Sequence, residues 1–420
     1  MREGWKEITI GDLGQVITGN TPPRKQPDLY GKHTIFVKPT DMEVDKKYCY
    51  NPEEYYSEKG FIKYKKSLIP KGSTCVVTIG SIGQKMIKAH TELFINQAVN
   101  AIVPNNYYDE DFVYYLLKIN LFQLKTFDSG TASGRENVSK SSFSNIKLIV
   151  PKSKRTQSKI ASILSSFDDL IENNLKRIKL LEEKAQLTYE EWFVKMRFPG
   201  YKTAEFDKIT NLPKGWEFKR SDTLFNIKIG KTPPREETEW FNKQGTGYKW
   251  ASIKDINNAS SFIFETSENI SIEGVRKFNM NVAKKDTVIL SFKLTVGKIT
   301  IVTEDFVTNE AIAHFNQLAN TKYSRSFIYC YLKGFNYDSL GSTSSIGTAI
   351  NSKIVKAIPF LVPTDQILIN FQNQIDPIFD ILKNLTIQNR LLKDARDILL
   401  PRLMSGMIDV EELELESSKK

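Results

Sequence analysis

The sequence predicts a mixed α/β (α+β) protein: two similar globular domains joined by two long antiparallel helices that form a coiled coil, related by a pseudo-twofold internal repeat. Three observations predict it. A set of short motifs occurs twice, in the same order, about 211 residues apart. Two long stretches place apolar residues at alternating spacings of four and three, the period of a coiled-coil seam. Within each repeat, short β-like runs punctuated by turns alternate with helical stretches.

The repeat opens with Gly4-Trp5 and Gly19-Asn20-Thr21-Pro22-Pro23-Arg24, which return as Gly215-Trp216 and Gly230-Lys231-Thr232-Pro233-Pro234-Arg235. Asp41-Met42 recurs as Asp255-Ile256, Ser81-Ile82-Gly83 as Thr295-Val296-Gly297, and Asn96-Gln97-Ala98 as Asn309-Glu310-Ala311. A period this long exceeds the roughly 20–50 residues of a solenoid unit. It is a whole domain with its connector, in two diverged copies, as suits one task done at two places with two specificities. Expected strands are Thr74–Ile79, one stretch from Phe94 to Pro104, Thr287–Phe292 and Lys298–Val302; expected helices are 110–125 and 323–334. The first domain is placed at 1–152 and the second at 205–362, with helices at 153–198 and 363–408 and an acidic tail at 409–420.

The first seam runs Ile160, Leu164, Phe167, Ile171, Asn174, Ile178, Leu181, Ala185, Thr188, Trp192; the second runs Phe371, Ile375, Ile378, Leu382, Leu385, Asn389, Leu392, Arg396, Leu399. Each has an asparagine near its middle, a polar seam residue of the kind that fixes register. Pairing the helices antiparallel with Asn174 opposite Asn389 matches every other layer, from Leu164/Leu399 and Phe167/Arg396 to Ile178/Leu385 and Trp192/Phe371. The alternative is two amphipathic helices packed separately on their own domains. Pro377 interrupts the second seam, because proline removes a helical hydrogen bond. Asp376-Pro377 could instead begin a shorter helix, which would dissolve the Trp192/Phe371 and Thr188/Ile375 layers.

A chain of 420 residues accommodates two or three domains. No apolar run approaches the roughly 18–20 residues of a membrane helix, and three scattered cysteines with three histidines form neither a disulfide framework nor a zinc constellation. A cytoplasmic protein is expected. The net charge of +10 is spread over both repeats while the C-terminal piece is acidic. This fits a polyanion partner, though many soluble proteins are as basic.

Each helix ends in a distinctive string: Trp192-Phe193-Val194-Lys195-Met196-Arg197-Phe198-Pro199-Gly200 and Arg396-Asp397-Ile398-Leu399-Leu400-Pro401-Arg402-Leu403-Met404-Ser405-Gly406. These strings, with the Trp…Gly-x-Thr-Pro-Pro openings, resemble the conserved regions and target-recognition domains of the specificity subunit of type I restriction-modification systems. The resemblance covers essentially the whole chain. It implies a non-catalytic subunit that reads the two halves of a split, asymmetric DNA site and holds its two domains apart on the helices. It also implies docking of two modification subunits, which carry adenine-N6 methylation, and of two restriction subunits, which carry ATP-driven translocation and cleavage. S-adenosylmethionine, ATP and Mg are expected on those partners and no cofactor on this chain. A seam from 160 to 192 would rise roughly 50 Å at about 1.5 Å per residue, more than the 34–36 Å or so of one DNA turn.

A rival reading makes the chain itself a DNA enzyme. Thr21-Pro22-Pro23-Arg24 and Thr232-Pro233-Pro234-Arg235 miss the adenine-methyltransferase loop, having arginine where an aromatic must stack on the flipped base. Gly80-Ser81-Ile82-Gly83 is too short for a cofactor loop, and Glu182-Glu183-Lys184 reads as a solvated helix face. A third class is a coiled-coil scaffold that does not bind DNA, which salt-dependent DNA binding would exclude. Candidate DNA contacts are basic residues on Gly/Pro-punctuated loops: Arg24, Lys25, Lys85, Arg135 and Lys140, then Arg235, Lys254, Lys293, Lys298 and Lys353. The plain alternative for any of them is a solvated charge. Segments 129–140 and 341–353 are small and polar enough to approach DNA closely, and the tail Asp409–Glu414 is expected to be a solvated end.

Overall fold

The structure, a computed structural model, describes residues 2–44, 46–127, 136–242, 246–293, 295–319, 321–340 and 350–411. The chain forms two compact units, residues 1–172 with 389–420 and residues 173–388. Each unit therefore contains one repeat and part of both long helices.

In the first unit Trp5–Thr9 pairs antiparallel with Lys147–Pro151, so the repeat is closed by its own two ends. Inside lies a four-stranded antiparallel sheet in the order Gly14–Thr18, Val99–Pro104, Thr74–Val77, Met86–Lys88. A three-stranded sheet follows in the order Glu54–Tyr56, Tyr30–Val37, Phe94–Ile95, with the last pair parallel. The stretch expected as one strand from Phe94 to Pro104 is thus two strands in different sheets. The break is an Asx turn: the Ala98 amide donates to the Asn96 carboxamide at 3.1 Å, diverting the chain after Ile95. Helix Glu110–Asn120 is capped by Asp109, whose carboxylate accepts from the Asp111 and Phe112 amides. It tightens into a 3₁₀ stretch at Leu121–Phe127.

The second unit repeats this plan. Glu217–Arg220 pairs with Pro359–Val362. A five-stranded sheet runs Phe225–Ile229, Ile312–Gln317, Val288–Ser291, Ile299–Val302, Phe262–Ile263, and a four-stranded sheet runs Phe241–Asn242, Glu268–Ile270, Tyr248–Ala251, Phe306–Thr308. Caps repeat as well. Ser57 and Ser271 accept from the amides of Gly60 and Gly274 at equivalent helix starts, and Ser324 caps Arg325–Gly334 as Asp109 caps its counterpart. The Asx turn recurs at Asn309, which accepts from the Ala311 amide at 3.1 Å.

The long helices span Lys154–Tyr189 and Asp365–Met404. Within the second unit their segments run antiparallel. Ile178, Ala185 and Trp192 share one core with Phe371, Ile375, Ile378, Leu382 and Leu385, and the Trp192 and Phe371 rings meet edge-on at 5.7 Å. Pro377 therefore lies inside the helix. Asp376 does not cap a new one; it accepts from the hydroxyls of Ser324 and Ser326. The carbonyl that Pro377 cannot bond belongs to Asn373, an exposed residue. The first helix ends in a π turn at Glu190–Val194, after which Met196 and Gly200 take positive φ. That reversal lays Phe193 and Phe198 on Trp216, at 5.5 and 5.0 Å. The terminal string of the second helix does the same in the first unit, where Leu400, Leu403 and Met404 join the core containing Trp5. Both signature strings thus brace the tryptophan that opens a repeat.

In the first unit the seam carries a buried charge. Arg396, 1 % exposed, donates to Asp168 at 2.6 Å. Asp168 also accepts from the Tyr115 hydroxyl at 2.5 Å, and Lys47 lies 3.4 Å from that hydroxyl and 2.9 Å from Asp111. Burial, then the Asp168 charge, pushes the Tyr115 phenol far above its ordinary range, so it stays a donor. The position equivalent to Asp168 in the second helix is Phe379, which packs on Tyr329 at 5.2 Å. The tail is bound through Glu411. Arg2 pairs with Asp409 at 2.6 Å, Lys159 donates to the carbonyls of Val410 and Glu411, and Val410 is buried. Asp409 and Glu411 are nevertheless exposed, as a solvated end requires, and Val410 alone of the three is buried. Residues 412–414 lie outside the described residues.

Candidate nucleic-acid interface

In each unit the same loops converge, for a reason written in the glycines that open the Thr-Pro-Pro loop. Gly19 hydrogen-bonds to the Val99 carbonyl at 3.1 Å and Asn20 to that of Ile95 at 2.9 Å. A Cβ at Gly19 would lie 2.1 Å from the Ile95 oxygen, and at Gly230 2.1 Å from that of Asn309. Only glycine lets this loop lie flush against the Asx turn. The turn's middle residue then meets the loop: Thr21 donates to Gln97 and Thr232 to Glu310.

The next residues are also placed alike. Arg24 pairs with Glu54 at 2.8 Å and stacks on Tyr30, its guanidinium 4.9 Å from the ring centre. Arg235 pairs with Glu268 at 2.8 Å and lies 4.3 and 4.5 Å from the rings of Phe241 and Trp250. Planar guanidinium suits such stacking better than an ammonium would. Both arginines remain about half exposed or more at the side chain, but each already has a carboxylate.

Around the Thr-Pro-Pro loop stand the other loops. In the first unit Thr78 bonds to the Ala98 carbonyl at 2.9 Å, Val138 to Thr78 at 2.9 Å and Gly80 to Glu136 at 3.0 Å. This brings the Gly80–Gly83 turn and the start of helix Lys140–Ser144 to the Asx turn. Lys85 leaves that turn to donate to the Pro39 carbonyl at 2.9 Å. In the second unit Phe292 bonds to Ala311 at 2.9 Å and Asn309 to Ala251 at 3.1 Å, which carries in Lys293 and the helix bearing Lys254. Glu310 has its carboxyl held below the ordinary range by the Thr232 hydroxyl, with burial opposing and the charges of Lys293 and Arg235 adding to the effect.

Of the predicted contacts, Arg24 and Lys25, and Arg235 and Lys293, stand on loops gathered at the Asx turn, and Lys254 on the first turn of the helix Ile253–Asn258 beside them. Lys298 follows the Gly297 turn and is exposed; Lys140 and Lys353 are exposed near the starts of equivalent short helices. Arg135, most of segment 129–140 and most of 341–353 lie outside the described residues. Two repeated pairs outside the predicted contacts also stand among these loops. Asp41 and Asp255 tie the neighbouring loops: Asp255 accepts from Ser252 and Ser267, and these bonds hold its carboxyl below the ordinary range although burial pushes it up. Gln97 and Glu310 are exposed at the centre of the clusters, and the differing residue inside a matched Asn-x-Ala motif was the available signal.

Two repeats presenting equivalent loop clusters on equivalent frames define a duplicated recognition protein. Sequence and structure comparisons place it more closely. The family described as type I restriction modification DNA specificity domain matches residues 2–183 and 213–398. The MjaIX type I restriction enzyme specificity subunit of Methanocaldococcus jannaschii is 28% identical over 423 residues, covering 97% of this chain and 94% of the relative. The HindI specificity subunit of Haemophilus influenzae is 24% identical, covering 96% and 99%. In fold, the chain is similar to the S subunit of a type I restriction-modification system from M. genitalium, with a TM-score of 0.59 at 18% identity over 95% and 96% of the two chains. The chain belongs to the type I restriction-modification specificity subunit family, whose role is DNA target recognition. Among the described residues no helix is long and apolar enough to cross a membrane.

Proposed function

We propose that this chain reads a bipartite, asymmetric DNA site, one half with each repeat, and docks two modification subunits and two restriction subunits around it. The observation that carries the first part is the pair of loop clusters: the same backbone frame, exposed lysines in both, different side chains at the tips. Phosphate contacts from such lysines position a protein on DNA, and base edges supply sequence. Methylation and ATP-driven cleavage belong to the partners in this reading, with S-adenosylmethionine, ATP and Mg bound there, and the assembly works in the cytoplasm.

Partner docking is supported by a second repeated feature. Leu180 and Leu187 on the first long helix are 64% and 57% exposed, and their counterparts 211 residues on, Leu391 and Ile398, are 63% and 55% exposed. Spaced one heptad apart, each pair makes an apolar stripe on a helix whose other face is packed. One stripe lies in each unit. An apolar surface kept in both copies fits two copies of one partner.

The test is to map DNA methylation at single-base resolution in cells that express this chain with its modification partner. A single split motif carrying N6-methyladenine on both strands, lost when the chain is deleted, is expected. Exchange of residues 1–150 for those of another specificity subunit changes one half of the motif. Methylation indifferent to the deletion would refute the proposal.

A further inference from the structure

Gln97 and Glu310 are an equivalent exposed pair that differs in hydrogen-bonding polarity while the turn and the threonine clasp that hold it are the same. Gln97 and Glu310 each sit at the middle of an Asx turn fixed by Asn96 or Asn309. Each turn is clasped by a glycine loop that tolerates no Cβ. Each side chain receives the hydroxyl of the threonine two residues after that glycine, on Oε1 of Gln97 and Oε2 of Glu310. The clasp fixes direction: it engages one oxygen, so what Gln97 can still offer is its Nε2–H₂ donor with the remaining lone pair of Oε1. Glu310 offers only acceptors. The frame is thus built twice to present one polar group, once chiefly as a donor and once solely as an acceptor.

Charge sharpens the point. Glu310 shares its cluster with Lys293 and Arg235, and Lys254 stands at the start of an adjoining helix. A carboxylate there repels phosphate and weakens binding to DNA backbone of any sequence. Its use is toward something that phosphate is not. In the major groove, glutamate accepts from the cytosine N4 amine, and glutamine bonds adenine through N6 and N7 together.

We propose that Gln97 and Glu310 are equivalent base-reading positions of the two repeats, Gln97 reading an adenine in one half-site and Glu310 the amino group of a cytosine in the other. This rests on the DNA-reading function proposed above. The wild-type complex tests that function separately: if it shows no sequence-dependent methylation, the function fails and not only the assignment.

The experiment uses the full chain co-expressed with its modification partner. Gln97→Glu and Glu310→Gln are each mapped for their methylated motif and assayed for binding to duplexes varied one base pair at a time. Gln97→Glu should change a single position in one half-site and leave the other half intact; Glu310→Gln should do the reverse. The preference at that position should shift by roughly 5- to 150-fold. An unchanged motif in both variants overturns the assignment. So does equal weakening on every duplex, which marks a phosphate or purely structural contact. Thermal melting of both variants accompanies the mapping. Glu310→Gln keeps the acceptor that Thr232 uses, so a near-native melting temperature is expected, and unfolding of both variants would reduce the clasp to a structural tie and overturn the proposal.

Discussion

Replacing Arg396 by methionine tests whether the ion pair of the first unit is structural. The guanidinium side chain is 2% exposed and the Asp168 side chain 5%. Asp168 would keep the Tyr115 hydroxyl but lose its countercharge while remaining out of water. Breaking one partner of such a pair costs about 3–5 kcal/mol. For a unit of this size that is a fall of roughly 6–20 °C in melting temperature. Removing both charges with Asp168→Leu/Arg396→Met should be milder than either single change, because no buried charge is left alone. What remains is the Tyr115 hydroxyl, whose orphaning costs about 1–3 kcal/mol, so the further change Tyr115→Phe should recover part of the loss. The assay is a thermal and urea double-mutant cycle, with hydrogen exchange of peptides from 154–172 to localise the effect. A loss below about 1 kcal/mol for Arg396→Met, or a double variant worse than the sum of the singles, would refute the account.

Other outcomes follow from the same geometry. His314 is buried, and burial pushes its imidazole down to about 4 from an ordinary 6.5, so it is neutral in the fold with Nε2 2.7 Å from the Thr308 hydroxyl. Its contribution to stability is complete above pH 6.5 and drains as pH falls from 6.5 through about 4, by about 3 kcal/mol in all; urea midpoints of His314→Gln should lose most of that slope. Gly230→Ala should displace the Thr-Pro-Pro loop at a cost of about 1–3 kcal/mol and spoil one half of the methylated motif while sparing the other. Glutamates at Leu180 and Leu187, or at Leu391 and Ile398, should leave melting within about 0.5 kcal/mol of wild type because these positions are exposed. Each pair should remove one modification subunit from the complex, as weighed by native mass spectrometry.

The duplication and the helix seams were legible because both are periodic, and periodicity survives divergence at single positions. Strand limits were less so: the break after Ile95 depends on a side-chain-to-backbone bond from Asn96, invisible as hydrophobic pattern. Pro377 looked like a helix start because its sequence neighbours allow one; the solvent exposure of Asn373, which makes it harmless, is a tertiary fact. Nothing in the sequence around Asp168 marks its ion pair, since its partners Tyr115 and Arg396 are remote in sequence. At the candidate interface the arginines were visible as basic loop residues, yet their pairing with Glu54 and Glu268 was not. Gln97 and Glu310 carry no positive charge and were passed over.

The meeting of residues 2–5 with 406–410 has a topological consequence. Arg2 and Asp409 are bonded, and Gly406, at φ 70°, lies so near Trp5 that a Cβ there would fall 2.8 Å from its ring. A short bridge could thus join residue 2 to residue 409 within the first unit, and the segment around Ile209, 92% exposed, offers a place to open the chain. A permutant made this way should melt near the parent, because the contacts that hold each repeat do not depend on which repeat comes first along the chain.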